Sequence, residues 1–166
     1  WLEEWLQTEW THYKVFVTPV TEQWAQFAIA GPKARDVLKK LDPSFDIAHE
    51  ALPHMSFVEG KLGPYPVRLF RISFSGELAY EIAVPTRYGD ALIRKLVEAG
   101  EEFDAVVYGT ETLGVMRIEK GHVAGNELNG QSTALNMGLG KMVSKKKDAI
   151  GMALSQREGL NDPNGY

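Results

Sequence analysis

Cysteine is absent from the 166 residues, which excludes disulfide bonds, thiolate nucleophiles and thiolate metal ligands. Basic residues are not in excess, since 18 Lys and Arg stand against 22 Asp and Glu. This balance gives no sequence-wide electrostatic case for binding nucleic acid or an anionic membrane. No apolar run approaches the roughly 18 to 20 residues that a membrane-spanning helix needs. We therefore expect a cytoplasmic globular protein without a nucleic-acid or membrane partner.

The composition is that of an ordinary globular domain, with 44% hydrophobic and 24% charged residues, enough for one well-buried core. Because the chain begins at Trp1 rather than Met, we expect it to be part of a longer protein. Helical spacing of apolar residues predicts that residues 1–12 are the end of a helix from an upstream segment. Residues 13–150 are predicted to form the domain, and residues 151–166 a linker to a downstream segment.

Alternating and helical patterns predict the elements of an α+β fold. Strands are predicted at residues 15–19, 24–30, 55–62, 66–74, 78–84 and 103–107, and helices after Gly31-Pro32, after Thr86 as cap, and from Thr110 to Lys120. The strands between residues 55 and 84 would form an antiparallel meander. The element order resembles a split βαβ (ferredoxin-like) arrangement, so we expect an antiparallel or mixed sheet with helices packed on one face.

One carboxylate, Glu81, lies on an otherwise apolar strand of a predicted hairpin. Runs rich in β-branched and aromatic residues flank Gly76, which predicts a turn there. Strand alternation places Leu78, Tyr80, Ile82 and Val84 on one face and Ala79, Glu81 and Ala83 on the other. Two methyl groups beside an acid leave a shallow slot for a flat heterocycle. A carboxylate there can bind two parallel N–H donors, such as the guanidine-like edge of a pterin, strongly and selectively.

Glu81 and several other charged or aromatic residues can also be interpreted as purely structural. Glu81 could be a solvated residue of an edge strand, Glu77 a turn residue, and Phe74 part of the core. Arg117 and Glu119 lie two residues apart on a predicted helix and cannot face each other, so each is expected to have a separate structural partner.

Two further groups of charged or polar residues bear on ligand binding. The lysines at positions 141, 145, 146 and 147 either form a solvated loop or attract an anionic polyglutamate tail. The histidines at positions 12, 49, 54 and 122 lack the paired spacing of metal ligands, so no metal site is predicted.

Three motifs resemble the glycine-cleavage T-protein, or aminomethyltransferase, family of folate-binding proteins. Residues 74–82 (FSGELAYEI) are similar to that family's GYTGExGxEI signature, with Phe74 in place of the tyrosine. Residues 116–122 (MRIEKGH) resemble its LRLEAG helix, and residues 31–35 (GPKAR) match its GPKAR-type turn. The motifs occur in the family's order, so the resemblance implies an aminomethyltransferase-type fold.

The resemblance implies a tetrahydrofolate-binding domain. In T proteins a tyrosine and the second glutamate of the signature lie at the pteridine, and these positions correspond to Phe74 and Glu81. Glu77 and Tyr80 of the same signature complete the candidate folate contacts. An arginine that the family uses corresponds to Leu113 here, and its aspartate lies upstream of the matched region. The catalytic residues are therefore left unknown.

The tryptophan-rich start of the chain and residues 117–122 resemble more closely the folate-binding regions of heterotetrameric amine oxidases. That resemblance implies partner subunits (beta, gamma and delta) and flavin (FAD, FMN) and NAD bound elsewhere in the complex. The residues alone leave the amine open among sarcosine, dimethylglycine and another N-methyl amine, and the resemblance favours sarcosine. Three alternatives stay open: a non-catalytic folate-binding domain, a docking module in which Trp1, Trp5 and Trp10 contact a neighbouring subunit, and a folate-dependent aminomethyltransferase or dimethylglycine-oxidising relative.

Overall fold

The computed structural model describes residues 1–160, and the chain divides into two compact units, Trp1–Thr110 and Glu111–Tyr166. The first unit contains α1 (Leu2–Thr8), β1 (Trp24–Ala30), α2 (Ala34–Lys39), β2 (Phe57–Leu62), β3 (Tyr65–Phe70), β4 (Ala79–Pro85) and α3 (Gly89–Gly100). Helix α4 (Thr110–Lys120) starts at the boundary, and α5 (Ile150–Ser155) belongs to the second unit. Within residues 1–160, no helix is long and apolar enough to cross a membrane.

Strands β1 to β4 form one sheet in the order β1-β4-β3-β2, in which every neighbouring pair is antiparallel. The α+β class and the predicted meander of β2, β3 and β4 are confirmed. The split βαβ arrangement is not confirmed, because β1 and β2, the strands on either side of α2, lie at opposite edges of the sheet. The predicted domain boundaries at residues 12 and 150 stay a prediction.

The core of the first unit lies between one face of the sheet and helices α2 and α3, which contact each other. Alternation along β4 turns Tyr80, Ile82 and Val84 into this core, where all three are fully buried. Opposite them lie Ala34, Leu38, Leu92 and Leu96 of the two helices. Burying each large aliphatic side chain contributes about 1.5–3 kcal/mol, so this layer fixes which face of β4 points away from the helices.

Two predicted strands are wrong. Residues 15–19 pair with no strand of the described chain, and Phe16 is 94% exposed. In the segment 103–107, Phe103 ends a 3₁₀ turn, Glu101–Phe103, after which Asp104 adopts a left-handed conformation (φ 55°). Both segments are locally apolar, but neither gains the backbone partners that make a strand stable.

The predicted Thr86 helix cap is also wrong. The Thr86 hydroxyl donates instead to the Glu22 carbonyl at 2.7 Å, and a 3₁₀ turn, Thr86–Tyr88, precedes α3. The predicted stop of this helix at Gly100 is confirmed.

The β3–β4 hairpin has a longer connection than the sequence pattern suggests. Residues 71–78 join the two strands, and Gly76 has a φ of +86°, a conformation that glycine adopts without steric cost. The Gly76 amide donates to the Ser73 hydroxyl at 2.9 Å. A turn at Gly76 is therefore confirmed, but β3 ends at Phe70 rather than at the predicted Phe74.

Candidate functional site

The face of the sheet opposite α2 and α3 carries Glu81. Pairing places Ala28 of β1 and Phe70 of β3 directly across from Glu81, one on each side. Along β4 its same-face neighbours, Ala79 and Ala83, are 5% and 7% exposed, while Glu81 itself is half-buried. The predicted flanking of this acid by two alanines is confirmed.

The Glu81 carboxylate accepts a hydrogen bond from the side-chain amide of Gln26, with Gln26 Nε2 as donor and Glu81 Oε2 as acceptor. Gln26 lies on β1, two residues before Ala28, and is exposed. Within residues 1–160 no ion pair reaches Glu81. The carboxylate is therefore held by a neutral donor and is not sealed by an internal cation.

An aromatic pair forms one side of the site. Phe70 stacks on Phe57 of the edge strand β2, with ring centroids 5.7 Å apart and an interplanar angle of 24°. Phe57 is 60% exposed, so the pair presents an accessible flat surface beside Glu81. Stacked aromatic rings favour binding of another planar ring system.

Arg68 forms another part of this face, next to Ala83. Its Nε donates to Glu59 Oε1 at 2.7 Å, and its guanidinium lies 4.4 Å from the ring centroid of Trp24 on β1. Because β4 separates β1 from β3, the Arg68 side chain crosses over Ala83 to reach Trp24. The Arg68 guanidinium thus interacts with the Glu59 carboxylate and the Trp24 ring, so it does not neutralise Glu81. The negative charge of Glu81 stays available to a ligand.

The other candidate folate contacts lie in different places. Phe74 and Glu77 are exposed in the connection 71–78, outside the sheet. Tyr80 faces the core, where its hydroxyl accepts a hydrogen bond from Arg35 Nε at 2.9 Å. The structure therefore does not bring Tyr80 together with Glu81 on one face.

Sequence reasoning missed Gln26, Ala28, Phe57 and Phe70 as neighbours of Glu81. Each belongs to another strand, and its position beside the acid follows only from strand order and register. The one signal that could have found Phe70 is the hairpin itself, but a tight turn at Gly76 would have paired Glu81 with a different residue.

Arg117 of α4 has a structural partner, as predicted. Its Nη1 donates to Glu127 Oε2 at 2.8 Å and to the His122 carbonyl at 3.1 Å. The Ala124 amide also donates to Glu127 Oε2, at 2.8 Å, and these contacts hold the pKa of Glu127 below its usual value, with the backbone amide as the larger cause. The group ties the end of α4 to the loop that follows.

The lysine cluster lies in the second unit, where Lys145 and Lys147 line a cavity of about 620 Å³ together with apolar residues such as Leu135 and Leu154. This placement tests neither the solvated-loop interpretation nor the polyglutamate one. Among residues 1–160, no three His, Asp or Glu side chains are grouped closely enough to hold a metal ion.

Comparison with known proteins identifies the family. The sequence profile of the GCVT N-terminal domain matches residues 1–147. The chain belongs to the GCVT N-terminal domain family. The resemblance to the T-protein signature is thereby confirmed, and the sheet that carries Glu81 is the sheet of a GCVT domain.

Similar proteins include both oxidoreductases and a transferase. The chain is 50% identical to "Sarcosine oxidase subunit alpha" of Rhizobium meliloti (strain 1021) over 165 residues, which cover 98% of this chain and 17% of the relative. It is 34% identical to mitochondrial "Dimethylglycine dehydrogenase" of Mus musculus over 154 residues, covering 89% and 18%. Identity to "Aminomethyltransferase" of Caldanaerobacter subterraneus subsp. tengcongensis is 30% over 149 residues, covering 87% and 38%.

One of these relatives is a sarcosine oxidase alpha subunit, which belongs to the class of amine oxidases that the start of the chain and residues 117–122 indicated. The chain spans less than a fifth of the length of that Rhizobium relative. The GCVT domain is thus shared by proteins of different overall size and with different named activities, so the function of this chain has to be argued from its own site.

Proposed function

We propose that this chain forms the tetrahydrofolate-binding part of a sarcosine oxidase alpha subunit, with Glu81 binding the amino-pyrimidine edge of the pterin. The observation that carries the proposal is the half-buried Glu81 carboxylate on the sheet face opposite α2 and α3, with no internal cation paired to it among residues 1–160. Family membership and the similarity to sarcosine oxidase, dimethylglycine dehydrogenase and aminomethyltransferase support it.

The residues around Glu81 fit a reduced pterin. A pterin offers a ring N–H beside an exocyclic amino group, and a carboxylate can accept both in parallel. Ala28 is exposed and adds only a methyl group beside the acid, so a flat ring can approach closely on that side. The Phe70–Phe57 pair lies on the adjacent side and offers a surface on which the ring can stack.

Phe74 and Glu77 remain proposed contacts of the ligand. Both are exposed in the connection that leads into Ala79, the first residue of β4 and a same-face neighbour of Glu81. Phe74 can stack but cannot donate a hydrogen bond, unlike the tyrosine of the family signature. Tyr80 is better explained as a core residue, because it is fully buried on the other face.

The reaction proposed for the whole enzyme is oxidative demethylation of sarcosine coupled to one-carbon transfer. Sarcosine, O₂ and tetrahydrofolate give glycine, hydrogen peroxide and 5,10-methylenetetrahydrofolate, so the methyl carbon becomes the bridge between two folate nitrogens. FAD, FMN and NAD, together with the beta, gamma and delta subunits of a cytoplasmic heterotetramer, are proposed for other parts of the complex. Within this chain Glu81 binds and orients the acceptor, and no residue is assigned to the acid–base step.

Substitution of Glu81 tests the proposal. In the full-length protein, Glu81→Gln replaces an ionised acceptor by a neutral amide, and loss of a charge-assisted pair should weaken tetrahydrofolate binding roughly 10- to 100-fold by titration calorimetry. Glu98→Gln is the matched control, because Glu98 is an exposed glutamate of α3, which packs on the opposite face. Wild-type affinity of Glu81→Gln would refute the proposed site.

Product analysis separates transfer from binding alone. The complete enzyme supplied with sarcosine and tetrahydrofolate should release 5,10-methylenetetrahydrofolate. Release of formaldehyde with no methylenetetrahydrofolate would contradict the transfer reaction and leave a non-catalytic folate-binding domain.

A subunit-docking module is the second candidate, and one observation favours it. Trp1, Trp5 and Trp10 cluster with ring centroids 5.7–6.1 Å apart, so they contact one another. Trp1 nevertheless remains 64% exposed, and Phe16 is 94% exposed in the unpaired segment that follows. If tetrahydrofolate does not bind, this apolar surface becomes the main functional feature of the chain.

A further inference from the structure

We infer that Gln26 is a positioning residue for Glu81, which aims the carboxylate at the pterin edge. The inference rests on the proposed function and extends it to a residue on a different strand, outside the family signature. It starts from the hydrogen bond that Gln26 Nε2 donates to Glu81 Oε2. Gln26 itself would not touch the reacting atoms; it would act through Glu81.

Strand register explains why a glutamine is needed at this position. Ala28 is directly opposite Glu81, and its methyl group is too short and too apolar to hold a carboxylate. Gln26 pairs with Ala83 and is therefore the diagonal neighbour of Glu81. Diagonal neighbours lie roughly 7–8 Å apart, a distance that long side chains span and short ones do not.

The chemistry of the amide suits an anion that must stay available to a ligand. A carboxylate has about four lone-pair directions, so one N–H from Gln26 leaves enough for two further donors. A cation in place of Gln26 would compete with the ligand for the negative charge. Arg68, which lies on the same face, is engaged by Glu59 and the Trp24 ring.

The hydrogen bond from Gln26 matters because the Glu81 side chain is partly exposed to solvent. Glu81 is only half-buried, and its same-face neighbours along β4 are the alanines Ala79 and Ala83, whose methyl groups offer little to restrict its side-chain rotamers. A freely rotating glutamate would have to be ordered when the ligand binds, which lowers affinity. The Gln26 hydrogen bond orders it in advance.

The test compares three proteins: full-length wild type, Gln26→Met and the control Gln23→Met. Methionine keeps the length of the side chain and removes the donor, whereas Gln23 is an exposed residue of the 3₁₀ turn before β1. Gln26→Met should weaken tetrahydrofolate binding roughly 2- to 10-fold by calorimetry, which is the cost of ordering one long side chain when the ligand binds. Gln23→Met should bind as wild type does.

A second ligand distinguishes positioning from a general structural effect. An analogue of tetrahydrofolate with a methyl group in place of the 2-amino group cannot make the paired contact with Glu81. Its affinity should be low in the wild type and no lower in Gln26→Met. An equal loss for both ligands would overturn the inference, because it would mean that Gln26 only supports the fold.

Gln26→Glu provides an independent variant of equal size. It places two carboxylates side by side on the face, so it should weaken tetrahydrofolate binding more than Gln26→Met does at neutral pH. Wild-type affinity in both variants, with weak binding in Glu81→Gln, would overturn the role of Gln26 alone. Wild-type affinity in Glu81→Gln would instead refute the proposed site itself.

Discussion

A glycine in β2 provides a direct test of how tightly the core of the first unit is packed. Gly60 pairs with Val67, and a Cβ at this position would point toward the segment that contains Ser44 and Phe45. It would lie 2.8 Å from Phe45 Cε1 and 2.8 Å from Ser44 Oγ, and closer still to Phe45 Cδ1. Real Cβ atoms do not approach neighbours this closely, so Gly60→Ala requires a shift of one of them.

The structure also shows why that shift is costly. The Ser44 amide donates to the Lys61 carbonyl at 2.9 Å, and the Lys61 amide donates to Ser44 Oγ at 2.9 Å. Phe45 packs against the core cluster. Overpacking of this kind costs about 1–3 kcal/mol. Removing a glycine from a strand returns about 0.5–1 kcal/mol of conformational entropy, so we expect Gly60→Ala to destabilise this region by about 1–2 kcal/mol.

Hydrogen exchange measured by mass spectrometry is the assay, because it reports local stability in the full-length protein. Since 1.4 kcal/mol corresponds to tenfold in an equilibrium constant, the amides of β2 and β3 should exchange about 5–30 times faster. Gly114→Ala in α4 is the matched control: a Cβ there meets no atom within 4 Å. Because it adds a helix-favouring residue, it should slow exchange in α4.

Two results would refute this reasoning. The first is unchanged exchange of β2 and β3 in Gly60→Ala, which would mean that Phe45 moves away at little cost. The second concerns the combination with Phe45→Ala, which removes the ring atoms nearest to position 60. The double variant should lose less stability than the two single variants together, and strict additivity would show that the clash is not the cause.

Two further predictions concern a core tyrosine and an acid in the second unit. Tyr80→Phe removes the acceptor of the Arg35 hydrogen bond, so thermal unfolding should show that the protein loses about 0.5–1.5 kcal/mol of stability. Its affinity for tetrahydrofolate should be unchanged, and weaker binding would contradict the burial of Tyr80 away from the ligand. Contacts with the Ala124 amide and Arg117 lower the pKa of Glu127. Ionised Glu127 therefore stabilises this region at pH values above the ordinary glutamate pKa, and the stabilisation is lost as the pH falls through the lowered pKa. Hydrogen exchange near Glu127 should be faster in Glu127→Gln than in wild type at neutral pH, with the difference vanishing in acid; a pH-independent difference would contradict this.

Much of the fold follows from local periodicity. Period-two alternation in β4 correctly predicted that Glu81 faces away from Tyr80, and the apolar stripes of α2 and α3 predicted the helical layer. Alternation works because each side chain's face is set by its own strand, without reference to any other part of the chain. The same reasoning gave wrong strands at residues 15–19 and 103–107, since local apolar character does not supply a pairing partner.

The amino-acid sequence by itself determined the class of fold, the family motifs and the face on which the key carboxylate lies. Only the tertiary structure decided which groups lie next to that carboxylate: the Gln26 amide, the Ala28 methyl group and the Phe70–Phe57 ring pair. The physical reason is that contacts across a sheet depend on strand order and register. These are set by the length of the connection 71–78 and by burial of the opposite face, which are properties of the whole sheet.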